Sequence, residues 1–594
     1  MAPVRLVLNF LPIFLMVFFS CPLTLLGGPG VISVFPKAQA IQSDLSTEIS
    51  VFFDAPVNPA TIDQQAVFVF GRWSGVHTGV ISFEANSTTM RFLPDTPFMA
   101  GEWVTVSLAR SITGVDGEEM EKGYTWNFWT ATAAGVFDFE LIDTIPTRAQ
   151  NERLVRSYGA YAGDLNRDGY SDLMIPNEVS NDIRIFLNDQ AGGYSDYSVH
   201  PIPNGSVPST NEGSDFNRDG LIDFAVGNTG NDLISIWMGT ENGIVEHKEN
   251  RLADQNIRGL CVMDLDGDAV MDVVTANRTG STENGNISLL INDGRGDFSD
   301  PVNIETNSSG ETACASIDAN DDGILDVFIG AFTSNEVLLF LGDGAGNLVF
   351  SDKRDVGNGP WMLAAGDVNG DGFADVVSSN TGNATVSVLL GDGAGMMQNA
   401  QHYNTGVFPL AIDLGDLDGD GDLDLVTSNF SSNNYTVLEN EGDGSYTARL
   451  TLPATTAASC TILHDRDNDG DLDITGIDEL ADQIFLFDNV AQVTGDEEEF
   501  EKPFSFEIDG SYPNPFTSNT TLTIRLKDAG FLSVAVYNTL GQKITTVFEN
   551  NEVAGNTLVM WDGTNSEGQQ IESGVYFYRV KFNNTTQSYK VVLL

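Results

Sequence analysis

Gly163-Asp164-Leu165-Asn166-Arg167-Asp168-Gly169-Tyr170-Ser171-Asp172-Leu173 is the stretch from which the rest of this 594-residue chain can be read. Counting from Asp164, carboxylate or amide side chains fall at positions 1, 3, 5 and 9, and glycine stands at position 6. Alternate residues of a tight turn aim inward. Their oxygens therefore converge with the main-chain carbonyl at position 7 into the all-oxygen donor set that suits Ca2+. Glycine lets the backbone fold sharply around the ion. An EF-hand loop opens the same way but closes on glutamate at position 12. Here aspartate at position 9 closes the loop and a strand follows.

The stretch is written seven times. The candidate ligands of the first two copies are Asp164, Asn166, Asp168, Tyr170 and Asp172, then Asp215, Asn217, Asp219, Leu221 and Asp223. The third and fourth supply Asp264, Asp266, Asp268, Val270 and Asp272, then Asp318, Asn320, Asp322, Ile324 and Asp326. The fifth has Asp367, Asn369, Asp371, Phe373 and Asp375, and the sixth Asp416, Asp418, Asp420, Asp422 and Asp424. The seventh has Asp465, Asp467, Asp469, Asp471 and Asp473. Successive copies start 51, 49, 54, 49, 49 and 49 residues apart, a period that marks an array of equal structural units. Only the third copy departs from the pattern, with Ala269 where the others have glycine.

Each unit carries an apolar strand before the loop and another after it (DLMIPN, DFAVGN, DVVTAN and their counterparts). A third strand such as VLLFLGDGAGNL leads through a Gly-rich hairpin into a fourth. Four strands in each of seven units predict an all-β, seven-bladed β-propeller over residues 136–490. The last unit lacks its fourth strand, and a surplus strand, Val136–Asp143, precedes the first. That strand is expected to complete the last blade and close the ring.

Composition bounds the partners. A net charge of -56, with only 28 Lys plus Arg, makes nucleic acid and anionic membranes poor partners and cations good ones. The loop side chains hold 24 of the 84 acids, so seven Ca2+ ions would offset only part of the charge. The remainder suits a salty medium. Arg5 followed by apolar residues 6–19 reads as a signal peptide, residues 1–28, too short and too interrupted to span a membrane. Cys21 lies in this leader. Cys261, Cys314 and Cys460 precede three of the loops by three to five residues and read as small buried residues. A bridge between Cys261 and Cys314 is the alternative.

Short alternating strands over residues 31–134 predict a first β-sandwich. Its FFDAPVNPATI and FLPDTPFMAGEWVTVSLARSITGVDG segments resemble bacterial Ig-like domains. The repeats resemble the FG-GAP or VCBS family, the propeller units of integrin α-subunits and many bacterial surface proteins. That resemblance implies calcium at positions 1, 3, 5, 7 and 9, all matched here, with the Ala269 turn under strain. Residues 491–503 read as an acidic linker. Residues 504–594 carry YPNPF, YNTLGQ and GVYFYRV and resemble the C-terminal sorting domains of the type IX secretion system. The resemblance implies another small β-sandwich, export through that machinery and display on the outer-membrane surface.

Catalytic signatures are missing: five histidines occur without HExxH, and neither CxxC nor GxSxG is present. His77 stands alone and reads as a surface residue. The chain is expected not to be an enzyme, although so many carboxylates leave a glycosidase-like pair open. Arg295-Gly296-Asp297 aligns with a GDGAG hairpin of the next repeat and reads as a turn. Ligands are expected on the face opposite the acidic loops, where NRTGSTENGN, SNFSSNNY, Trp361 and Phe408 fall. The reading is thus a secreted, calcium-stabilised adhesion or ligand-binding propeller whose partner is a cell-surface protein or carbohydrate. The alternatives are a polysaccharide-active enzyme, favoured by acids with Arg or His in the central channel, and a passive envelope spacer.

Overall fold

The computed structural model describes residues 28–489 and 506–593, apart from 204, 279–283, 513, 515, 539–542, 567–568, 572 and 583–584. The leader with Cys21, the acidic linker and parts of the NRTGSTENGN, YNTLGQ and YPNPF segments lie outside the described residues. The chain forms two units, 1–492 and 493–594.

Within the first unit, the N-terminal sandwich pairs Val31–Phe35, Ile49–Phe53, Thr89–Pro94 and Gly79–Phe83 in one sheet. Gly75–Val76, Val67–Gly71, Trp103–Leu108 and Tyr124–Trp129 form the other. The inward positions of both sheets (Val51, Phe53, Met90, Phe92, Val104, Val106, Trp126, Phe128) are excluded from water and make one core. His77 corrects its reading as a surface residue. It is buried, with its ring 4.3 Å from that of Phe98. Buried Glu102 accepts the Trp73 and Ser74 N–H groups and the Ser74 hydroxyl, and the same hydroxyl lies 2.7 Å from His77 Nε2.

Burial lowers the His77 pKa to about 4, against an ordinary value of 6.5. Between those limits the unfolded chain binds a proton that the folded sandwich refuses. Stability from this group is therefore complete above pH 6.5 and lost as pH falls towards 4, by up to about 3 kcal/mol. Urea unfolding of the sandwich at pH 4.5 and pH 7 should show this loss in the native chain, and His77→Gln should flatten it.

Seven four-stranded antiparallel sheets follow, beginning with Tyr161–Gly163, Asp172–Asn177, Asp182–Asn188 and Tyr194–Pro201. The first strands of the other six are Pro208–Ser214, Ile257–Met263, Glu311–Ile317, Pro360–Gly366, Pro409–Gly415 and Ala458–His464. Each first strand contacts the first strand of the next sheet, and the seventh contacts the first, so the sheets are the blades of a closed ring. All six residues of the second strand are buried in every blade. Its near-continuous apolar runs follow from that sandwiching between neighbouring blades.

The ring closes as expected. The strand before the first blade pairs with Gln483–Asn489 of the last. It runs over Phe139–Pro146 rather than Val136–Asp143, because Phe137 takes a positive φ of 52° and the chain is still turning there.

The second unit is a five-stranded antiparallel sheet built on two 19-residue strands, Thr520–Asn538 and Lys543–Trp561. Register shifts between Leu526 and Leu532 divide the first of these. One half pairs with Phe506–Tyr512 and the other with Gly574–Phe582. Leu522 and Ile524 of one half share a core with Val534, Val536 and Tyr578 of the other. Among the described residues no helix is long and apolar enough to cross a membrane.

Candidate metal centres and the two mouths of the ring

The seven acidic loops share one set of hydrogen bonds. The position-1 carboxylate accepts the N–H of position 6 in every copy, from Gly169 on Asp164 to Gly470 on Asp465. The position-5 carboxylate accepts the N–H of position 7. One oxygen of the position-9 aspartate takes the N–H of position 2. Its other oxygen takes an N–H at the end of the third strand, as Asp172 does from Asn188. Position 9 thus ties the loop to the blade whatever else it binds.

This wiring needs positive φ at position 6, which six glycines provide; Ala269 adopts φ 64° in the third loop. The expected strain is therefore real, and it is held by the loop's hydrogen bonds: Ala269 N–H reaches Asp264 Oδ2 at 2.9 Å.

The residues fit a cation. Ligand oxygens of Asp264, Asp266 and Asp272 lie within 4.8 Å of one another, as do those of Asp416, Asp418 and Asp424, and of Asp465, Asp467 and Asp469. In the other four loops asparagine stands at position 3, and in three of them its amide lies 2.9–3.2 Å from the position-5 carboxylate. Five buried carboxylate oxygens, on Asp266, Asp422, Asp465, Asp467 and Asp471, have no protein partner, which is costly for an anion unless a cation meets it. Asp422 and Asp471 hold position 7, where only the carbonyl was expected to serve, and their side chains add donors. Burial, with repulsion from neighbouring carboxylates, pushes Asp215, Asp318 and Asp416 up to about 6, and Asp465 up to about 7.

The N-terminal sandwich sits on the loop side of the ring. Main-chain N–H groups of Arg110, Thr125, Ala133 and Gly135 donate to carbonyls of Gly267, Gly323, Gly470 and Asp418. Asp164 N–H donates to Trp73, and Arg218 reaches the Gln65 carbonyl. Ser107 donates to Asp264 and Gln42 to Asp416 and Gly419. Six of the seven loops are engaged in this way, and the Trp129 indole lies 3.7 Å from a Cβ built on Gly366, beside the fifth.

Behind this cap the central channel encloses a cavity of about 270 Å³, which Arg72, Trp103 and Trp129 of the sandwich help to line. Arg72 pairs with Asp413 at 3.0 Å, and Tyr161 donates to the Arg72 carbonyl. Glu212, walled into the channel, is pushed up to about 7 by burial. Cys261 and Cys314 line the same channel, both buried, with Sγ atoms 2.7 Å apart.

Close packing of the cap makes a graded prediction. A Cβ on Gly169 would meet nothing within 4 Å, whereas one on Gly323 would fall 2.2 Å from the Tyr124 ring. Gly169→Ala and Gly323→Ala should each cost about 1–2 kcal/mol of backbone strain. Only Gly323→Ala should also loosen the sandwich, visible as proteolysis between sandwich and ring.

At the opposite mouth Tyr158, Arg258, Arg278 and Trp361 are half-buried, and the sequence reading found only part of this group. Trp361 lies there as expected and donates its indole N–H to Tyr158 Oη at 2.9 Å. Arg258 and Arg278 stand over the Trp361 ring at 5.8 and 5.3 Å, and Arg278 also covers Phe332 at 4.6 Å. Arg156 pairs with Glu479 at 2.6 Å and with Glu178 at 3.8 Å. Burial raises both glutamates, Glu479 to about 7. Phe408 lies exposed beside Phe430 near the start of the sixth blade. Arg295 is a solvent-facing turn residue paired with Asp293, as the turn reading of Arg-Gly-Asp requires. Tyr158, Arg258, Arg278 and Glu479 were missed. The one available signal was the scarcity of basic residues, which makes each arginine near a blade's open end informative.

A ring of four-stranded blades with an acidic loop after every first strand defines a repeat β-propeller. The family profile described as FG-GAP-like repeat matches six times, over 164–226, 215–275, 264–329, 318–378, 367–427 and 416–475. These matches span more than half of the chain, and it belongs to the FG-GAP-like repeat family. A bacterial Ig-like domain profile matches residues 27–130, and a type IX secretion signal domain profile matches 511–594. The chain is therefore marked for secretion to the cell surface. No curated protein matches.

Solved structures that resemble it include a functionally unknown protein from Desulfotomaculum acetoxidans, at 11% identity and a TM-score of 0.36. That likeness covers 64% of this chain and 96% of the other. A protein from Lactobacillus plantarum, at 14% identity and a TM-score of 0.32, covers 58% and 96%.

Proposed function

We propose that the protein is a calcium-stabilised binding module displayed on the cell surface, taking its ligand at the uncapped mouth of the ring. Calcium, held by the acidic loops at positions 1, 3, 5, 7 and 9, serves structure. It neutralises buried carboxylates and stiffens the loops on which the sandwich sits. One observation carries the reading: the sandwich covers the loop-side mouth, while half-buried Trp361, Tyr158 and two arginines cluster at the other. Loops on a rigid ring are the usual place for recognition.

A second reading, an enzyme, has the feature expected to favour it: acids with arginine in the central channel, Glu212 and Asp413 with Arg72. At the same uncapped mouth stand two buried glutamates, Glu178 and Glu479, both raised. Such a pair resembles the general acids and bases of polysaccharide-active enzymes. Both are already engaged by Arg156, which favours a structural role for them.

The test is retention of the full calcium-loaded chain on a panel of polysaccharides and cell surfaces, with a chelator arm and with chromatography of the polysaccharide afterwards. Retention without breakdown supports the binding module. Breakdown abolished by Glu479→Gln would replace it with the enzyme. Absence of retention and of breakdown across the panel would overturn both.

A further inference from the structure

The open mouth is short of acceptors. Tyr158 Oη receives the Trp361 indole proton, so its own hydroxyl proton is left to donate, and no acceptor for it is present among the described residues. Arg258 Nε is buried without a partner, and the nearest contacts of its guanidinium are loose: Ser209 Oγ at 3.4 Å and Glu178 at 3.8 Å. Among the described residues the Arg278 guanidinium meets the rings of Phe332 and Trp361 and no carboxylate.

This happens in a chain with 84 acids and only 28 basic residues, where an arginine without an acid is unusual. Among the described residues, three arginines (156, 258 and 278) meet two glutamates (178 and 479) at this mouth. Both guanidiniums stand over one indole, at 5.8 and 5.3 Å from its centroid, and the Arg258 charge bears unfavourably on Arg278. Burial and the neighbouring Arg258 charge lower the Arg278 pKa from its ordinary value. Around this centre the loops facing the same side expose hydrogen-bonding side chains, Thr333, Asn358, Asn383 and Ser431.

We propose that this mouth recognises a carboxylate-bearing sugar, a uronic acid residue of an acidic polysaccharide. Its carboxylate lies between Arg258 and Arg278, and its hydroxyls meet Tyr158 and the rim. The proposal rests on the binding reading above and names the ligand class for that same mouth. A carboxylate supplies the planar two-oxygen acceptor that a guanidinium fork matches, and it cancels the repulsion between the arginines. A neutral sugar would leave Arg258 with only its loose contacts to Glu178 and Ser209, and Arg278 with no carboxylate among the described residues.

Titration calorimetry on the full chain in millimolar calcium would compare a uronate oligosaccharide with the same oligosaccharide after reduction of its carboxyls to alcohols. The acidic form is expected to bind about ten-fold or more tightly than the reduced form. Arg278→Gln is expected to weaken the acidic form about ten-fold or more and leave the reduced form unchanged, while Arg278→Lys recovers part of the loss. Unchanged melting of each variant guards against unfolding. Equal binding of both forms would overturn the carboxylate inference and leave the binding module standing. Binding of neither form, with a neutral polysaccharide retained in the panel, would overturn the inference alone. Binding of neither, with nothing retained, would remove the binding reading with it.

Discussion

Calcium removal is expected to lower the melting temperature of the ring by roughly 5–15 °C, the largest effect any single change of conditions should produce. Extracellular calcium sites bind at about 10⁻⁴–10⁻³ M, so at millimolar calcium each site adds on the order of 0.5–1.5 kcal/mol. Seven such terms amount to roughly 4–10 kcal/mol, comparable with the whole stability of a domain. Unfolding entropy of about 2 cal/mol/K per residue over the ring converts that sum into the temperature shift stated. The loops give a physical reason for the sign. Five buried carboxylate oxygens without a protein partner stay in contact with other carboxylates when the ion leaves. Calorimetry with and without chelator measures the effect, and metal analysis of the native chain gives the stoichiometry. A melting temperature indifferent to chelation would remove calcium from the proposal.

That prediction could be formulated from sequence because its residues are neighbours. Asp164 and Asp172 are eight residues apart, and the hydrogen bonds within the loop run between positions two to seven residues apart, so spacing alone encoded the geometry. Blade order was legible for the same reason. Each blade is a meander, and the surplus strand before the first blade had one place to go.

The open mouth was not legible. Tyr158 comes from the first blade, Arg258 and Arg278 from the third, Phe332 from the fourth, Trp361 from the fifth and Glu479 from the seventh. Ring closure alone makes them neighbours. The cap on the loops left no trace in sequence either, because much of it is main chain to main chain, as in Arg110 to Gly267 and Thr125 to Gly323. His77 failed for a related reason. A single histidine in a turn-rich segment looks exposed until Glu102 and Phe98, more than twenty residues on, are folded against it.

The second large effect is expected at the seam where the ring closes. Arg466, at position 2 of the seventh loop, is fully buried and reaches in several directions. It donates to the Gly192 carbonyl in the hairpin of the first blade. Its other terminal nitrogen meets Asp488 at 2.6 Å and Asp473 at 3.4 Å, and Asp467 lies at 4.0 Å. Asn188 of the first blade returns a bond to the Arg466 carbonyl at 2.9 Å. Elsewhere in the ring neighbouring blades are successive in the chain. Here the first and last blades must find each other across about 300 residues, and loop closure over that length is entropically unfavourable.

Arg466→Met keeps the length of the stem and removes the only cation facing these carboxylates among the described residues. Breaking a buried ion cluster by deleting one partner typically costs about 3–5 kcal/mol, because the remaining charges stay buried. The variant should therefore melt several degrees lower. Proteolysis should cut first near the seam, at the first and seventh blades. Adding Asp488→Asn should return part of the loss by removing one of the unpaired charges. Gly192→Ala provides an independent check: its φ is 75°, and a Cβ there would fall 2.1 Å from the Arg466 guanidinium. If Arg466→Met melts like the native chain while Gly192→Ala does not, the seam is held by backbone fit rather than by charge. The cluster would then be incidental to closure.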